Sequence, residues 1–405
     1  MRKLFLLSSI CALLGCPAFA QDKETGIPNV KRIPKTDEEA VAEADRLEAL
    51  YKGKNQPESV RMLIAIARGK IGAEEGWFGP AQTRYGWDWL AKQCGTDGKA
   101  GISRKQFPGS DAAFASLDRD HDGSITRGDL DWSPRNPYVL ATATVNRFFR
   151  QLDSKGKGKV TKEDLLAFLE KAGKGKDHLT ADDLREELLG GGAFLRGNVP
   201  STETLLRGLF ASEVGSLQEG PALGDVAPDF ELPTADGKSK VKLSDVIGKK
   251  PVVLILGNYT CGPFRSLFAQ IEDVKKRYDR DAEFLMVYVR EAHPTDGWRM
   301  KSNDDAGVEV AQPRTDAERC GVAQKCAKAL APTMPLLVDG VEDKVGNAYS
   351  GMPGRLYVLD CKGKVAYKSG RGPYGFKAGE LEQALVMALL EAMPARKDPA
   401  PKTDG

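Results

Sequence analysis

The sequence carries almost no net charge, because its 405 residues include 59 Lys and Arg against 57 Asp and Glu. Nucleic-acid-binding proteins and sites for strongly acidic substrates usually show an excess of one sign of charge. We therefore expect no nucleic-acid partner. Cysteine is also scarce, and 7 scattered cysteines are too few for a disulfide framework in a chain of this length.

Long hydrophobic runs are equally scarce, and the N-terminal run Leu4–Gly15 is too short to span a bilayer stably. It follows a basic start and precedes Ala18-Phe19-Ala20, an arrangement typical of a signal peptide over residues 1–20. The letters LLGC before residue 17 also resemble a lipobox, in which Cys16 would be lipidated. Both alternatives predict export to the periplasm or the extracellular space, and only a lipid anchor at Cys16 would attach the chain to a membrane.

The remaining sequence is predicted to have an α+β, multidomain organisation. An all-α N-terminal part precedes a domain in which strands of six to eight residues alternate with amphipathic helices, which indicates an α/β sheet covered on both faces. The predicted strands are residues 251–258, 283–289, 334–340, 355–360 and 364–370. The predicted segments are a helical lead-in at 21–83, a helix-and-loop domain at 84–190, a helical linker at 191–220, the α/β domain at 221–395 and a disordered tail at 396–405.

The segment Asp118–Asp129 (DRDHDGSITRGD) fits the twelve-residue calcium loop of an EF-hand. Gly123 permits the sharp turn at position six, and an oxygen donor stands at every ligand position. The predicted ligands are Asp118, Asp120, Asp122, the Ser124 carbonyl, Thr126 and Asp129. Because Asp129 is shorter than the usual Glu, we expect a weak site, comparable to extracellular modules with dissociation constants of about 10⁻⁴–10⁻³ M.

Three further stretches, at residues 95–106, 153–164 and 172–183, follow the same frame without its full set of oxygen ligands. In the second of them Lys155 and Lys157 stand where carboxylates belong, and ammonium groups repel calcium. These stretches are predicted to be structural EF-hand-like loops. The spacing leaves open which of them pairs with the loop at 118–129.

A second chemical motif lies in the C-terminal half, where TCGPF follows the first predicted strand and opens a helix. A redox-active cysteine pair would place its second cysteine at position 264, where this sequence has Phe264. Cys261 is therefore the single nucleophile of this turn. The helix N-terminus is expected to stabilise its thiolate. Glu291 and His293 follow the next predicted strand, and a carboxylate–imidazole pair there could handle the proton of a reductive cleavage.

The strand–TCGPF–helix segment resembles the active-site turn of the thioredoxin superfamily. GMPGRLYVLDCKGKV at 351–365 is similar to the superfamily's later segment, which implies a cis-proline at Pro353 beside Cys261.

Three motifs, NYTCGPF, LMVYVREAHPTDGWRM and YKSGRGPYGF, resemble the iodothyronine deiodinase family in the same order, over about residues 224–393. Cys261 takes the position of the family's selenocysteine, and the family's substrate arginine falls on Arg371. The resemblance implies that catalysis involves Thr260, Cys261, Tyr288, Glu291 and His293, with Arg371 and Pro353 at the substrate.

Without a second cysteine in the turn, a distant thiol must resolve Cys261. Cys320 and Cys326 could form a disulfide with each other, or one of them could attack an oxidised Cys261. The hypothesis is an exported, calcium-binding thiol oxidoreductase that uses an external thiol reductant and no organic cofactor. Its substrate stays open between a halogenated phenol, a peroxide and a protein or small-molecule disulfide. The alternative is a non-catalytic calcium-binding scaffold or interaction protein with an idle thioredoxin fold.

Overall fold

The computed structural model describes residues 27–72, 75–76, 78–153, 158–187 and 200–393. The predicted signal peptide, Cys16 and the predicted tail lie outside these residues. The helices are α1 Asp37–Leu50, α2 Glu58–Ala67, α3 Trp87–Gln93, α4 Asp111–Leu117, α5 Pro137–Leu152, α6 Lys162–Gly173, α7 Ala181–Arg185, α8 Thr202–Phe210, α9 Leu243–Val246, α10 Gly262–Tyr278, α11 Lys301–Asp305, α12 Asp316–Leu330, α13 Lys344–Ala348 and α14 Ala378–Glu391. The strands are β1 Gln82–Thr83, β2 Ile102–Ser103, β3 Ser124–Ile125, β4 Glu231–Pro233, β5 Lys240–Lys242, β6 Val252–Gly257, β7 Glu283–Tyr288, β8 Leu336–Val338, β9 Arg355–Leu359 and β10 Val365–Lys368.

Six strands form one mixed sheet in the order β1-β10-β9-β6-β7-β8. The central strand β6 pairs in parallel with β7 and antiparallel with β9, and β10 forms a hairpin with β9. Every residue of β6 is buried, as expected for a strand covered on both faces. All five predicted strands of the C-terminal domain are confirmed. The parallel pair brings the chain ends after β6 and β7 to one edge of the sheet.

The helix between this parallel pair, α10, forms because its apolar residues recur at helical spacing. Leu267, Phe268, Ile271 and Val274 are buried on one face. Pro263 lies in the first turn, where a missing N–H costs no hydrogen bond. The helix therefore begins directly after Cys261, as the sequence predicts.

The EF-hand loops pair through a short antiparallel ladder that joins Ile102 to Ile125. The degenerate loop at 95–106 is therefore the partner of the loop at 118–129, which settles the pairing left open by the sequence. Buried residues of this pair, including Ile102 and Ile125, share one hydrophobic core with the large sheet. Gln383 of α14 donates a hydrogen bond to the Asp129 carbonyl at 3.0 Å. This part of the predicted 84–190 domain thus shares the core of the α/β domain at 221–395 and has no separate core.

Helices α1, α2 and α8 form a second hydrophobic core with Ile27, Val30 and Val214. The predicted lead-in and linker, separated by more than a hundred residues, therefore pack as one unit, which we call the helical module. Thr36 caps α1 by accepting from the Glu39 N–H. None of the helices in the described ranges is long and apolar enough to cross a bilayer.

One buried ion pair joins the helical module to the large sheet. Glu58, at the start of α2, pairs with Arg371 at 2.5 Å, and both side chains are almost fully buried. Arg371 also donates to the carbonyls of Ser216 and Gln218, at 3.0 and 2.8 Å. These contacts satisfy the guanidinium with groups from two segments of the helical module.

We predict that Arg371→Met destabilises the protein by about 3 kcal/mol, because it leaves Oε1 of the buried Glu58 carboxylate without its cation, while the more exposed Arg61 still pairs with Oε2. Arg207→Met is the matched control, since Arg207 pairs with Glu203 on the exposed surface of α8, and such pairs contribute about 0–1 kcal/mol. Urea unfolding at neutral pH measures both variants. Equal midpoints for the two would contradict a stabilising role for the Glu58–Arg371 pair.

Candidate active site

Cys261 occupies the N-cap position of α10, directly after β6 and the short turn at 258–260. The second-cysteine position of the turn belongs to the core, because Phe264 is fully buried. Its ring packs on the backbone of β6 so closely that a Cβ on Gly257 would lie 2.1 Å from the ring. Phe264 also stacks edge-on against Phe376 at 5.2 Å. The turn is therefore built for a single cysteine.

A buried carboxylate, Glu291, links this turn to the end of β7. One of its oxygens accepts hydrogen bonds from the Thr260 N–H at 3.0 Å and the Thr260 hydroxyl at 2.8 Å. The other oxygen accepts from the Tyr288 hydroxyl. Burial nevertheless raises the pKa of Glu291 above its usual value. The structure therefore brings together Thr260, Tyr288 and Glu291, as the sequence predicts, in a network that can hold a proton near Cys261.

His293 lies beside this network but contacts a different group. Its backbone N–H donates to the Thr260 hydroxyl at 3.0 Å, whereas its Nδ1 lies 3.1 Å from the Trp298 carbonyl. A carbonyl only accepts, so Nδ1 carries the hydrogen and Nε2 is the basic nitrogen. Burial lowers the pKa of His293 to about 4. Within the described residues the imidazole and the Glu291 carboxylate share no hydrogen bond. Thr260 lies between the two residues, because its hydroxyl donates to Glu291 and accepts from the His293 backbone N–H.

The loop before β9 completes the site. The Met352–Pro353 peptide bond is cis, as the resemblance to the thioredoxin superfamily implies. The Asn258 amide donates to the Pro353 carbonyl at 3.0 Å, which fixes this loop against the Cys261 turn. Pro353 therefore lies at the predicted place.

The sequence predicts that the start of α10 stabilises the Cys261 thiolate, and the structure does not support this prediction. The thiol is 3% exposed, and burial raises its pKa to about 11, although the helix N-terminus and Arg265 both favour the thiolate. Desolvation outweighs the helix dipole here, because an anion in an apolar site loses the hydration that it has in water. The resting protein therefore holds Cys261 as a thiol, contrary to the expectation of a stabilised thiolate.

Arg371 does not offer a free guanidinium to a substrate. Its side chain is 4% exposed and is bonded to Glu58, Ser216 and Gln218. Burial lowers its pKa to about 10. The predicted substrate-binding arginine is thus an internal contact to the helical module in this structure, and it could reach a ligand only after that contact opens.

The two predicted resolving cysteines lie on one helix, α12, six residues apart. A helix rises about 1.5 Å per residue, which separates their Cα atoms by about 9 Å, and a disulfide needs less than about 7 Å. The expected Cys320–Cys326 disulfide is therefore excluded. Cys320 is half-buried against the Ala235 carbonyl, at 3.8 Å. Cys326 is buried and interacts electrostatically with Glu291 and Arg265, which also interact with Cys261. Of the two, Cys326 faces the site.

Three buried residues that support the site escape sequence reasoning. Asn258 and Asn303 bond the turn from both sides, and Arg265 lies one helical turn after Cys261. The sequence could have indicated Arg265, because an arginine stands on the apolar face of α10 in its first turn. A charged residue is rarely buried at such a position unless it has a polar partner. The two asparagines gave no such signal.

The EF-hand loop at 118–129 brings three of its four carboxylates together. Oxygen atoms of Asp118, Asp120 and Asp129 lie within 4.8 Å of one another. Asp122 instead accepts from the Ser124 N–H at 2.8 Å, and the Thr126 hydroxyl donates to Asp129 at 2.8 Å. Asp129 therefore reaches the ligand position despite its short side chain.

The donor set at this loop fits a hard cation. Asp118 is buried, and its Oδ1 atom has no hydrogen-bond partner among the described residues. A buried carboxylate oxygen without a donor is costly unless a cation faces it. An oxygen-only donor set of this kind is suited to Ca²⁺. Asp118, Asp120 and Asp129 are the residues that could hold it.

The strand order β10-β9-β6-β7, with a helix between the parallel pair and another after the hairpin, is that of the thioredoxin fold. A thiol:disulfide interchange protein of the thioredoxin family from Chlorobium tepidum is similar at 17% identity, with a TM-score of 0.29, covering 42% of this chain and 99% of that one. The fold assignment depends on the strand order and not on this superposition.

Residues 198–388 match the model of the iodothyronine deiodinase family, and residues 111–131 and 145–169 match the EF-hand model. Both resemblances drawn from the sequence are confirmed. Thyroxine 5-deiodinase of Gallus gallus is 34% identical over 160 residues, which are 39% of this chain and 60% of that protein. The Sus scrofa enzyme is 33% identical over 159 residues, 39% of this chain and 50% of that protein. The chain thus spans about half to three fifths of the length of these relatives.

We predict that His293 makes stability fall in acid. Its folded-state pKa of about 4 lies below the ordinary value of 6.5, so its contribution is complete above pH 6.5 and is lost as the pH falls towards 4. The loss amounts to at most about 3 kcal/mol. His293→Gln should remove this part of the pH dependence, measured by urea unfolding at pH 7, 5.5 and 4.5.

His178→Gln is the control for this experiment, because His178 is exposed in the degenerate loop at 172–183. It should keep the wild-type pH dependence. Parallel acid profiles for wild type and His293→Gln would show that His293 is not buried as a neutral imidazole.

Proposed function

We propose that this protein is an exported, calcium-binding thiol oxidoreductase of deiodinase type, in which Cys261 is the only nucleophile of the turn. The observation that carries the proposal is the position of Cys261 at the start of α10, between the cis-Pro353 loop and the Thr260–Glu291 network. The deiodinase-family match over 198–388 supports redox chemistry. A disulfide, a peroxide and a halogenated phenol stay as candidate substrates.

The first chemical step is attack of the Cys261 thiolate on an electrophilic sulfur, oxygen or halogen. A bond forms between the Cys261 sulfur and that atom, the substrate bond breaks, and the leaving group keeps the electron pair. The leaving group then takes a proton. Glu291 can supply it, because burial raises the pKa of this carboxyl. The proton that Cys261 releases passes to solvent, because the pKa of His293, about 4, lies far below that of the thiol, about 11. His293, with its hydrogen on Nδ1, can accept a hydrogen bond at Nε2.

The second step returns Cys261 to the thiol. A thiolate attacks the sulfur of modified Cys261, forms a disulfide with it and releases the reduced fragment, and an external thiol then reduces that disulfide. Cys326 is the favoured internal partner, because it interacts with Glu291 and Arg265, the groups that also surround Cys261. Cys326 is buried on α12, and burial raises the pKa of its thiol. The attack therefore requires α12 to move, so that the Cys326 thiolate can form and reach the Cys261 sulfur.

Export and calcium binding complete the proposal. The Ala18-Phe19-Ala20 sequence after the apolar run supports a cleaved signal peptide, and Cys16 gives the lipoprotein alternative. An exported protein meets calcium concentrations that fill weak sites. The cluster of Asp118, Asp120 and Asp129 supports a calcium site at that loop.

One observation favours the alternative of a non-catalytic scaffold. Cys261 is buried, with a pKa of about 11, and Arg371 is engaged by Glu58. A protein that keeps both groups covered resembles a binding module more than an open enzyme. Turnover measurements separate the two functions.

We predict that Cys261→Ser reduces turnover to background with whichever of three substrates wild type accepts: oxidised glutathione, hydrogen peroxide or an iodinated phenol, each with dithiothreitol as reductant. Because the thiol pKa is about 11, the wild-type rate should rise about tenfold per pH unit between roughly pH 7 and 10. Cys361→Ser is the control, since Cys361 lies in the β9–β10 turn. Undiminished turnover in Cys261→Ser would rule out the proposed nucleophile.

We predict that Asp118→Asn weakens calcium binding at least tenfold, because it removes the buried charge that faces the ion position. Isothermal titration of the full chain with CaCl₂ measures this. Asp177→Asn is the control, because Asp177 is an exposed carboxylate in the degenerate loop at 172–183. Equal binding by wild type and Asp118→Asn would refute the loop assignment.

A further inference from the structure

Arg265 is a buried guanidinium in the first turn of α10. Its side chain belongs to a residue only 4% exposed, and its backbone N–H donates to the Cys261 carbonyl at 3.1 Å. It therefore lies one helical turn after Cys261, on the part of α10 that the core covers.

The hydrogen bonds of Arg265 go to neutral acceptors. One terminal nitrogen donates to the Tyr259 carbonyl at 2.5 Å, and the other donates to the Asn303 side-chain oxygen at 3.0 Å. Its Nε atom has no hydrogen-bond partner in the described part of the chain. Two other buried arginines have carboxylate partners: Arg371 pairs with Glu58, and Arg319 with Asp343. Arg119 and Arg355 donate to neutral acceptors, as Arg265 does, but neither lies in the turn that carries a cysteine. Arg265 makes no such ion pair among the described residues.

A buried cation without an anion is costly, by several kcal/mol for an isolated ion. The cost is offset if a negative charge develops nearby during the reaction. The titratable groups that interact with this guanidinium are Cys261, Tyr259, Cys326, Glu291 and His293. Glu291 already accepts three hydrogen bonds, from Thr260 and Tyr288. Among the described residues Cys261 has no comparable set of donors, so negative charge that develops on its sulfur during the reaction is the charge that Arg265 can offset.

We propose that Arg265 is the fixed cation that stabilises negative charge on the Cys261 sulfur, and that Asn303 and the Tyr259 carbonyl position it for this role. The inference rests on the proposed function, in which Cys261 acts as the nucleophile. Asn303 also donates to the Thr260 carbonyl at 2.8 Å, so one side chain fixes both the guanidinium and the turn that carries the sulfur.

A purely structural role for Arg265 makes a different prediction. If the guanidinium only cross-links α10 to α11 through Asn303, geometry matters and charge does not. Lysine keeps the charge but cannot reproduce the two-nitrogen fork. The effect of Arg265→Lys therefore separates the two roles.

The test measures the alkylation rate of Cys261 by iodoacetamide in the full-length protein, with peptide mapping by mass spectrometry, between pH 7 and 11. Arg265→Met should slow alkylation at pH 8 by about tenfold, which corresponds to about one unit of thiol pKa. Arg265→Lys should stay within about threefold of wild type. Arg277→Met, which removes a charge near the far end of the same helix, where Arg277 pairs with Glu382, should behave as wild type.

Asn303→Asp keeps the size of the side chain and gives Arg265 a carboxylate partner. Charge stabilisation predicts that this variant also slows alkylation, by about tenfold, and it covers the case in which Arg265→Met does not fold. Circular dichroism and thermal melting establish folding for every variant. Unchanged alkylation in a folded Arg265→Met or in Asn303→Asp overturns the proposal, and so does an Arg265→Lys as slow as Arg265→Met.

Alkylation needs no substrate, so these outcomes are independent of turnover. If Cys261→Ser keeps full turnover, the proposed function fails while the alkylation series still decides the role of Arg265. If Cys261→Ser abolishes turnover and Arg265→Met alkylates normally, the proposed function stands and the role given to Arg265 fails.

Discussion

The buried carboxylate of Glu291 is the contact on which the candidate site depends. It accepts two hydrogen bonds from Thr260 and one from Tyr288, and so joins the turn after β6 to the end of β7. Parallel pairing brings those two chain ends to one edge of the sheet, but pairing alone does not fix the turn. The Thr260 hydroxyl in turn accepts from the Ala292 and His293 N–H groups. One carboxylate thus sets the relative positions of the thiol turn and the imidazole.

Burial gives this network its precision and also suppresses its reactivity. A hydrogen bond in a low-dielectric interior is strong and directional, yet the same environment raises the pKa of Cys261 and lowers that of His293. Trp298, which stacks on His293 at 4.7 Å, also packs against the helical module. The Glu58–Arg371 pair lies at that same boundary. The helical module therefore contacts the site through Trp298, beside His293, and through Arg371.

Sequence reasoning succeeds here where the signal is local. The strands, the start of α10 at Cys261, the cis-Pro353 loop and the carboxylates of the EF-hand loop are all encoded within short stretches, as periodicity, a turn motif or ligand spacing. It fails where partners are distant along the chain. Nothing near residue 58 indicates a pair with Arg371, and nothing near Cys261 indicates that desolvation exceeds the helix dipole. Those outcomes depend on which segments pack over the site, which is a property of the folded chain.

The fusion of the EF-hand pair to the redox domain follows from the same packing. Ile102 and Ile125 are buried in the core that also contains the large sheet. Gln383 donates to the Asp129 carbonyl at 3.0 Å and accepts from the Trp132 indole at 2.7 Å. Gln383 lies on α14, which packs against α10, the helix that begins at Cys261. The Asp118 loop and the helix that begins at Cys261 are therefore linked through α14 and the shared core.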